Sequence, residues 1–309
     1  MPIRLSENFR ALFYAPFYAA HAIGAYQAED IDVTLASSPD PARTALSLHD
    51  GEVDVMWGGP LRVMLTHARD AGADSVCFCD VIVRDPFFVI GREPRPEFQL
   101  ADLANVRFAS VAEVPTPWLC LQDDLRRAGV DPASLNRMHG PTMAENAAAL
   151  RAGRLDAVQL FQPYAEELIR SGEGHVWYAA ASRGLTAYTT LVTRRAMLQS
   201  RSEELLRMTR AMARVLRWIE ATPGSEIAGA LADYFPSVPG NIFAAAMDRY
   251  RALGLYATDP VMPREGFERL QAAMRSGGAL DRAIPFEDCV DNSLALRATG
   301  RHPPLSSGR

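Results

Sequence analysis

The sequence predicts an α/β protein of two related lobes, each built around a small, largely parallel sheet. Three observations carry this. Strand-like apolar runs alternate with helix-patterned segments through the first two-thirds of the chain. The composition, 48% hydrophobic and 22% charged over 309 residues, is that of a globular protein long enough for two domains. Finally, ALSLHDGEVDVMWGGP is echoed by AAALRAGRLDAVQLFQP, so that Leu48, Gly51 and Asp54 recur as Leu150, Gly153 and Asp156. In each copy a helix ends in glycine, a tight turn follows, and a strand runs to a proline. The separation is too long for a solenoid repeat and fits two copies of one lobe.

Residues 3–15 read as a strand and its exit loop, and Pro16 to Tyr26 as a helix with Phe17, Ala20 and Ile23 on one face. Asp32 to Ala36 is a strand, Ala42 to Leu48 a helix, and Val53 to Trp57 a strand ending at Gly58-Gly59. Leu61 to Ala71 is helical, and Ser75 to Val83 and Phe87 to Gly91 are strands. The proline-rich polar REPRPEF is a surface connection. A short strand is expected at Val106 to Val111 and a helix from Pro117 to Ala128, stopped by Gly129. Ala144 to Ala152 is helical, Ala157 to Phe161 a strand, Tyr164 to Ser171 a helix, and Thr189 to Thr193 a further strand. Beyond it the chain is helical. Ser200-x-x-Glu203 has the form of a capping box, and Leu205, Met208, Met212, Val215 and Ile219 form one apolar stripe. That helix ends at Pro223-Gly224; Phe243, Met247 and Tyr250 mark a second, and Phe267, Leu270 and Met274 a third.

Composition excludes several chemistries. The net charge is only -5 and the signs are interleaved, so no nucleic-acid surface is expected. All 32 basic residues are arginine, so no lysine is present to hold pyridoxal phosphate as a Schiff base. Cys77-x-Cys79 is too close for an ordinary disulfide and lacks metal spacing; with Cys120 and Cys289 it reads as structural thiols. His21, His49, His67, His139, His175 and His302 show no i, i+4 pairing, so no zinc site is expected. The P-loop, dinucleotide and nucleophile-elbow motifs do not occur. No cofactor and no metal are therefore predicted. No apolar run reaches transmembrane length and no signal peptide stands at the start, which on its own points to the cytoplasm.

In open α/β sheets, ligands bind beyond the carboxyl ends of the strands. Here the exits are Phe13-Tyr14-Ala15-Pro16-Phe17, Trp57-Gly58-Gly59-Pro60, Pro115-Thr116-Pro117-Trp118 and Phe161-Gln162-Pro163. Each carries an aromatic residue, and three open helices whose free N–H groups favour an anion or carbonyl oxygen. Aromatics converging with a few polar groups suit a planar ligand. The candidate ligand-binding residues are Tyr14, Phe17, His21, Trp57, Gly58, Gly59, Arg84, Thr116, Trp118, Phe161, Gln162 and Tyr188. Several have a second reading. Gly58-Gly59 either admits a ligand to the backbone or simply makes a tight turn. Arg84 either meets an anionic ligand or pairs with Asp80 or Asp85. His21 either reaches the cleft or is an ordinary, partly exposed histidine. No catalytic residue is assigned.

Four segments resemble one known family. FYAPFYAAHAIGAYQAEDIDVTL is similar to the opening of the nitrate, sulfonate, taurine and thiamine-pyrimidine-precursor solute-binding proteins of ABC importers. LADLANVRFASV, LRRAGVDPASL and LRAGRLDAVQLFQPY resemble later segments of that family in the same order, with Gln162 where many members have glutamate. The resemblance implies a type II periplasmic-binding-protein fold: two lobes joined by two crossover strands, near Arg84 and Tyr188, with a helical C-terminal extension. Residues 1–84 and 188–309 would form lobe one and residues 85–187 lobe two. It implies a monomer outside the cytoplasmic membrane that captures a sulfonate, pyrimidine or aromatic acid for an ABC permease. Two enzyme branches share the architecture. The aromatic sulfinate desulfinases place a nucleophilic cysteine before a proline in the first loop, where this chain has Ala15-Pro16; the thiamine-pyrimidine synthases need lysine-bound pyridoxal phosphate. Both departures favour binding over catalysis. The alternatives are a cytoplasmic enzyme on the same scaffold, desulfinase- or decarboxylase-like, and a ligand sensor.

Overall fold

The computed structural model describes residues 1–37, 41–70 and 72–301; Ala71, at the end of one expected helix, and His302 lie outside the described residues. Among the described residues, ten strands form two five-stranded sheets. They are β1 (Ile3–Ser6), β2 (Val33–Ala36), β3 (Val55–Gly58), β4 (Ser75–Ile82), β5 (Phe88–Gly91), β6 (Phe108–Ala109), β7 (Arg137–Met138), β8 (Ala157–Leu160), β9 (His175–Ala179) and β10 (Thr189–Arg194). The first sheet has the order β2-β1-β3-β10-β4 and the second β7-β6-β8-β5-β9. The two orders correspond strand for strand. In each sheet three parallel strands meet one antiparallel strand, β10 or β5, delivered by a crossover from the other half.

The echo seen in the sequence has a physical basis. Arg4, on β1, donates from its backbone N and its Nε to Asp54 Oδ2 and from Nη2 to Asp54 Oδ1 and to the carbonyl of Gly51. Arg107, leading into β6, makes the same four bonds to Asp156 and Gly153. Gly51 and Gly153 both take positive φ, 76° and 68°, which turns the chain out of a helix and aims the carbonyl at the arginine.

Helices α1 (Ala15–Ala22), α2 (Pro41–His49), α3 (Pro60–Arg69), α4 (Thr116–Arg127), α5 (Met143–Arg151) and α6 (Tyr164–Arg170) connect the strands. Helix α1 stops short of Tyr26 because Gly24 turns left-handed at φ 69°. The C-terminal part comprises α7 (Arg195–Ser200), α8 (Ser202–Ala221), α9 (Gly224–Ala230), α10 (Gly240–Ala252), α11 (Arg264–Ser276), α12 (Phe286–Cys289) and α13 (Ser293–Ala298). The expected capping box is not formed. Ser200 ends α7 and bonds back to the Ala196 carbonyl, while Arg201 pairs with Glu204. The stripe from Leu205 to Ile219 is fully buried, each side chain contributing roughly 1.5–3 kcal/mol. Helix α10 packs on α6 and α11 packs on α4, so the C-terminal helices touch elements of both sheets.

The two crossovers lie side by side. The Thr186 and Tyr188 amides donate to the Val83 and Ile82 carbonyls, and the Ala180 amide to that of Phe87. Arg84 Nη1 donates to the Ala181 carbonyl at 3.0 Å and forms no ion pair with Asp80 or Asp85. Asp85 is taken instead by Arg183 at 2.6 Å, and the same guanidinium holds Asp124, which also accepts from Tyr178. This cluster is almost wholly buried, with Arg183 5% and Asp85 0% exposed. The REPRPEF segment is largely exposed, as its composition requires.

Candidate ligand-binding cleft

Strand tips of the two sheets face one another and enclose a cavity of about 110 Å³. From the first sheet it is lined by Asn8, Phe9, Phe13 and Tyr14, which follow β1, and by Gly59, Leu61, Arg62 and Leu65, which follow β3. From the other side come Phe87, Val114, Pro115 and Thr116, and Tyr188 lies on the returning crossover. The walls are therefore aromatic. Phe13 sits edge-on to Tyr188 at 6.2 Å and to Phe161 at 5.4 Å, and Phe87 sits edge-on to Phe161 at 5.2 Å.

The polar groups are few and oriented. Asn8 Nδ2 donates to the Tyr14 hydroxyl at 3.3 Å, which leaves the phenol proton free to donate. Burial pushes the Tyr14 and Tyr188 phenols well above their ordinary range, so both stay neutral donors. The Tyr188 hydroxyl finds no hydrogen-bond partner among the described residues although the side chain is only 7% exposed. Helices α3 and α4 both start at this cavity, with Gly59 and Pro115 as their N-caps, and Arg62 lies in the first turn of α3. Free N–H groups, a guanidinium and two phenols make an environment that accepts oxygen lone pairs and negative charge.

Of the candidate residues, Tyr14, Gly59, Thr116 and Tyr188 line this cavity. Phe161 stands behind its wall, against Phe9, Phe13 and Phe87. The others point elsewhere. Phe17 and Trp57 stack face to face at 4.8 Å in the core behind Tyr14, both 0% exposed. Gly58 is paired within the sheet opposite Thr190. His21 is at the far end of α1, edge-on to Tyr26; its Nε2 is buried without a partner, and burial lowers its pKa. Trp118 packs on Phe108 with Arg137 stacked over its ring at 4.3 Å. Gln162 is buried: its backbone N–H donates to the Tyr250 hydroxyl and its Oε1 accepts from the Glu166 backbone N–H at the start of α6. Arg84 braces the crossovers.

Gly59 faces the returning crossover. A Cβ there would lie 3.2 Å from the Tyr188 carbonyl, so the close approach is that of the crossover backbone. Asn8, Phe9, Phe13, Arg62 and Phe87 were not among the candidates. Arg62 carried a readable signal, since a cation in the first turn of a helix opposes the helix dipole unless something anionic meets it there. The four cysteines are buried and lie outside the cavity, and burial holds the Cys77 and Cys79 thiols neutral.

Among the described residues, no helix is long and apolar enough to cross a membrane. The model of the NMT1-like family matches residues 9–232. Over 96% of this chain and 90% of the other, the sequence is 24% identical to YtlA of Bacillus subtilis (strain 168), which is named as a binding protein. The fold is similar to that of the periplasmic aliphatic sulphonate binding protein SsuA from Escherichia coli, with a TM-score of 0.76 at 17% identity, covering 96% of this chain and 100% of that one. It is also similar to the desulfurization enzyme DSZB, with a TM-score of 0.68 at 13% identity, covering 97% and 100%. These likenesses establish a two-lobed, type II periplasmic-binding-protein architecture.

Proposed function

The chain belongs to the NMT1-like family, and from that premise we propose that it is a solute-binding protein that captures a small organic anion or planar heterocycle between its lobes and delivers it to an ABC permease. The observation that carries the reading is the shared cavity: residues following β1 and β3 of one sheet and residues 87 and 114–116 of the other half converge on one space. A ligand there contacts both halves at once, which is what links occupancy to closure. The lobes are taken as residues 1–84 with 188–309, and residues 85–187. The protein would act outside the cytoplasmic membrane, like the periplasmic sulphonate-binding protein whose fold it shares, and would do so as a monomer.

Binding without turnover fits the lining best. The described lining residues offer hydroxyls, an amide and a guanidinium, but no carboxylate, imidazole or thiol to serve as base or nucleophile. The cavity volume suits a ligand near the size of one six-membered ring with a single polar substituent.

The test is a thermal-shift screen of sulfonates, aminopyrimidines and aromatic acids, followed by calorimetry with each hit. A ligand at about 100 times its Kd raises the unfolding free energy by about 2.7 kcal/mol. Phe13→Ala is expected to weaken any true cleft ligand at least about tenfold, the cost of losing an aromatic wall. A hit whose affinity ignores Phe13→Ala and Tyr188→Phe would refute the placement, and chemical conversion of a hit would refute binding without turnover.

A further inference from the structure

The C-terminal helices tie the two halves of the molecule together beside the crossovers. Helix α10 packs on Leu12–Tyr14 of the first half and on α6 of the second, and α11 packs on α3 of the first and on α4 of the second. The chain between these helices runs along β4. There the Val83 amide donates to the Leu255 carbonyl at 3.0 Å, the Ala257 amide to that of Val81 at 2.9 Å and the Asp80 amide to that of Pro260 at 2.8 Å. The Ala187 amide donates to the Gly266 carbonyl in the first turn of α11. Main-chain bonds therefore fix the helix pair to the first half and to the roots of both crossovers.

Side chains make the contacts with the second half. Arg249 Nε meets Glu166 Oε2 of α6 at 2.8 Å, and the Glu166 side chain is only 4% exposed. The Tyr250 hydroxyl accepts from the Gln162 backbone N–H at 3.1 Å, and its ring stacks on Phe88 of β5 at 6.2 Å. At the end of α11, Ser276 Oγ accepts from Arg126 Nη1 at 3.0 Å. Leu119 and Cys120 of α4 belong to one apolar cluster with Phe267, Leu270 and Met274 of α11. The fit is close: a Cβ at Gly277 would collide with Leu119 Cδ2.

Turning the second half about the crossovers would slide α6 and α4 off these helices. That motion breaks the Arg249–Glu166 pair and opens the apolar seam between α4 and α11 to water. Domains joined by a small polar interface move freely, whereas a large apolar one restrains them. We propose that α10 and α11 form a yoke that holds the two halves in this arrangement through contacts of the chain itself, so that the open arrangement is a minor state and access to the cleft waits on release of the yoke. The proposal takes the lobes as drawn above and does not depend on what the cleft binds.

The experiment is double electron–electron resonance on the full chain with no ligand added, with spin labels at Leu46→Cys and Met138→Cys. These side chains lie one in each half and are 59% and 47% exposed, and the native cysteines are buried. With the yoke intact a single narrow distance is expected. Arg249→Ala leaves Glu166 paired with Arg170, and Arg126→Ala removes an exposed side chain, so the double variant should fold, as circular dichroism checks. The first change should raise the open-to-closed ratio about tenfold and the second about threefold, which together lift an open population of about 1% to roughly a quarter. A second distance should then appear, and Gly277→Leu, a wedge against Leu119, should add to it. Arg107→Met, which loosens a clamp within the second half, should leave the single distance unchanged. The proposal is overturned if the chain with its yoke intact already shows two distances, or if the folded double variant keeps one. It is also overturned if Arg107→Met shifts the distances as much as the double variant does.

Discussion

Replacing Arg183 by methionine removes a cation that faces two buried carboxylates. In the wild type its guanidinium bonds Asp85 and Asp124, and both carboxylates are nine-tenths or more removed from solvent. Asp85 also accepts from the Phe87 amide, and Asp124 from Tyr178. Breaking a buried pair by deleting one partner costs about 3–5 kcal/mol, because the remaining charge stays buried. An unfolding entropy of about 2.1 cal/mol/K per residue makes 1 kcal/mol worth roughly 1.5 °C in a chain of this length, so the melting temperature should fall by about 5–8 °C at about pH 7.5. The loss has a direction in pH. Burial already holds the Asp85 carboxyl above the ordinary carboxylate range, with Arg183 opposing that shift. Without the guanidinium its folded-state pKa rises further above the unfolded value. The folded variant then binds more protons than the unfolded chain, so its deficit is largest at neutral pH and shrinks as pH falls toward the unfolded carboxylate range, about pH 4. Adding Asp85→Asn and Asp124→Asn preserves the two accepted hydrogen bonds and should recover at least about 2 kcal/mol. The assay is urea and thermal denaturation followed by circular dichroism. A variant that melts within about 2 °C of wild type, or a deficit that does not shrink on acidification, would refute the view that this cluster locks the crossovers together.

Three further outcomes follow from the same structure. Asp80 is 1% exposed with neither carboxylate oxygen bonded, and burial pushes its pKa well up; because the folded state holds that proton, wild-type stability declines as pH rises above the unfolded carboxylate value. Asp80→Asn should remove that slope and stabilise the protein by about 1–3 kcal/mol near pH 8, read by urea denaturation across pH. The two repeat clamps differ in shielding, Asp54 being 8% and Asp156 29% exposed, so Arg4→Met should cost about 1–3 kcal/mol and Arg107→Met less than about 1; equal losses would contradict this. Tyr188→Phe should leave the melting temperature within about 1 °C, since its hydroxyl has no partner among the described residues, while lowering cleft-ligand affinity about tenfold by calorimetry.

Much of this architecture was legible because the pattern repeats. The echo around Leu48 and Leu150 reflects a conformational need, a left-handed glycine and an aspartate clamp, that leaves its mark on residue identity. What escaped were edges. β7 is two residues long, too short to show alternation, and β9 is a half-buried edge strand beginning just after Gly174. Within the candidate cleft, the strand-exit rule led to loops that line the cavity through Tyr14, Gly59 and Thr116, while other exit side chains point elsewhere. Trp57 lies within β3, and its ring stacks in the core beside Phe17 rather than at the strand tip. Phe17, His21 and Trp118 sit past the first helical residue, where rotation about the helix axis turns them away from the cleft. Arg84 was expected to meet a charge and meets a carbonyl, because Arg183, distant in sequence, arrives on the second crossover to take Asp85.

The exchanged central strands bear on how the chain comes together. The second sheet is completed by one contiguous stretch, β5 to β9, and has all its strands once residue 179 has been synthesised. The first sheet has an open seam between β3 and β4 until β10 emerges more than a hundred residues after β4. A nascent or truncated chain ending before residue 189 therefore carries two unsatisfied backbone edges facing a strand-wide gap, a template for wrong partners. The second lobe is expected to mature first on the ribosome, and a fragment of residues 1–187 to aggregate while residues 85–187 alone remain dispersed.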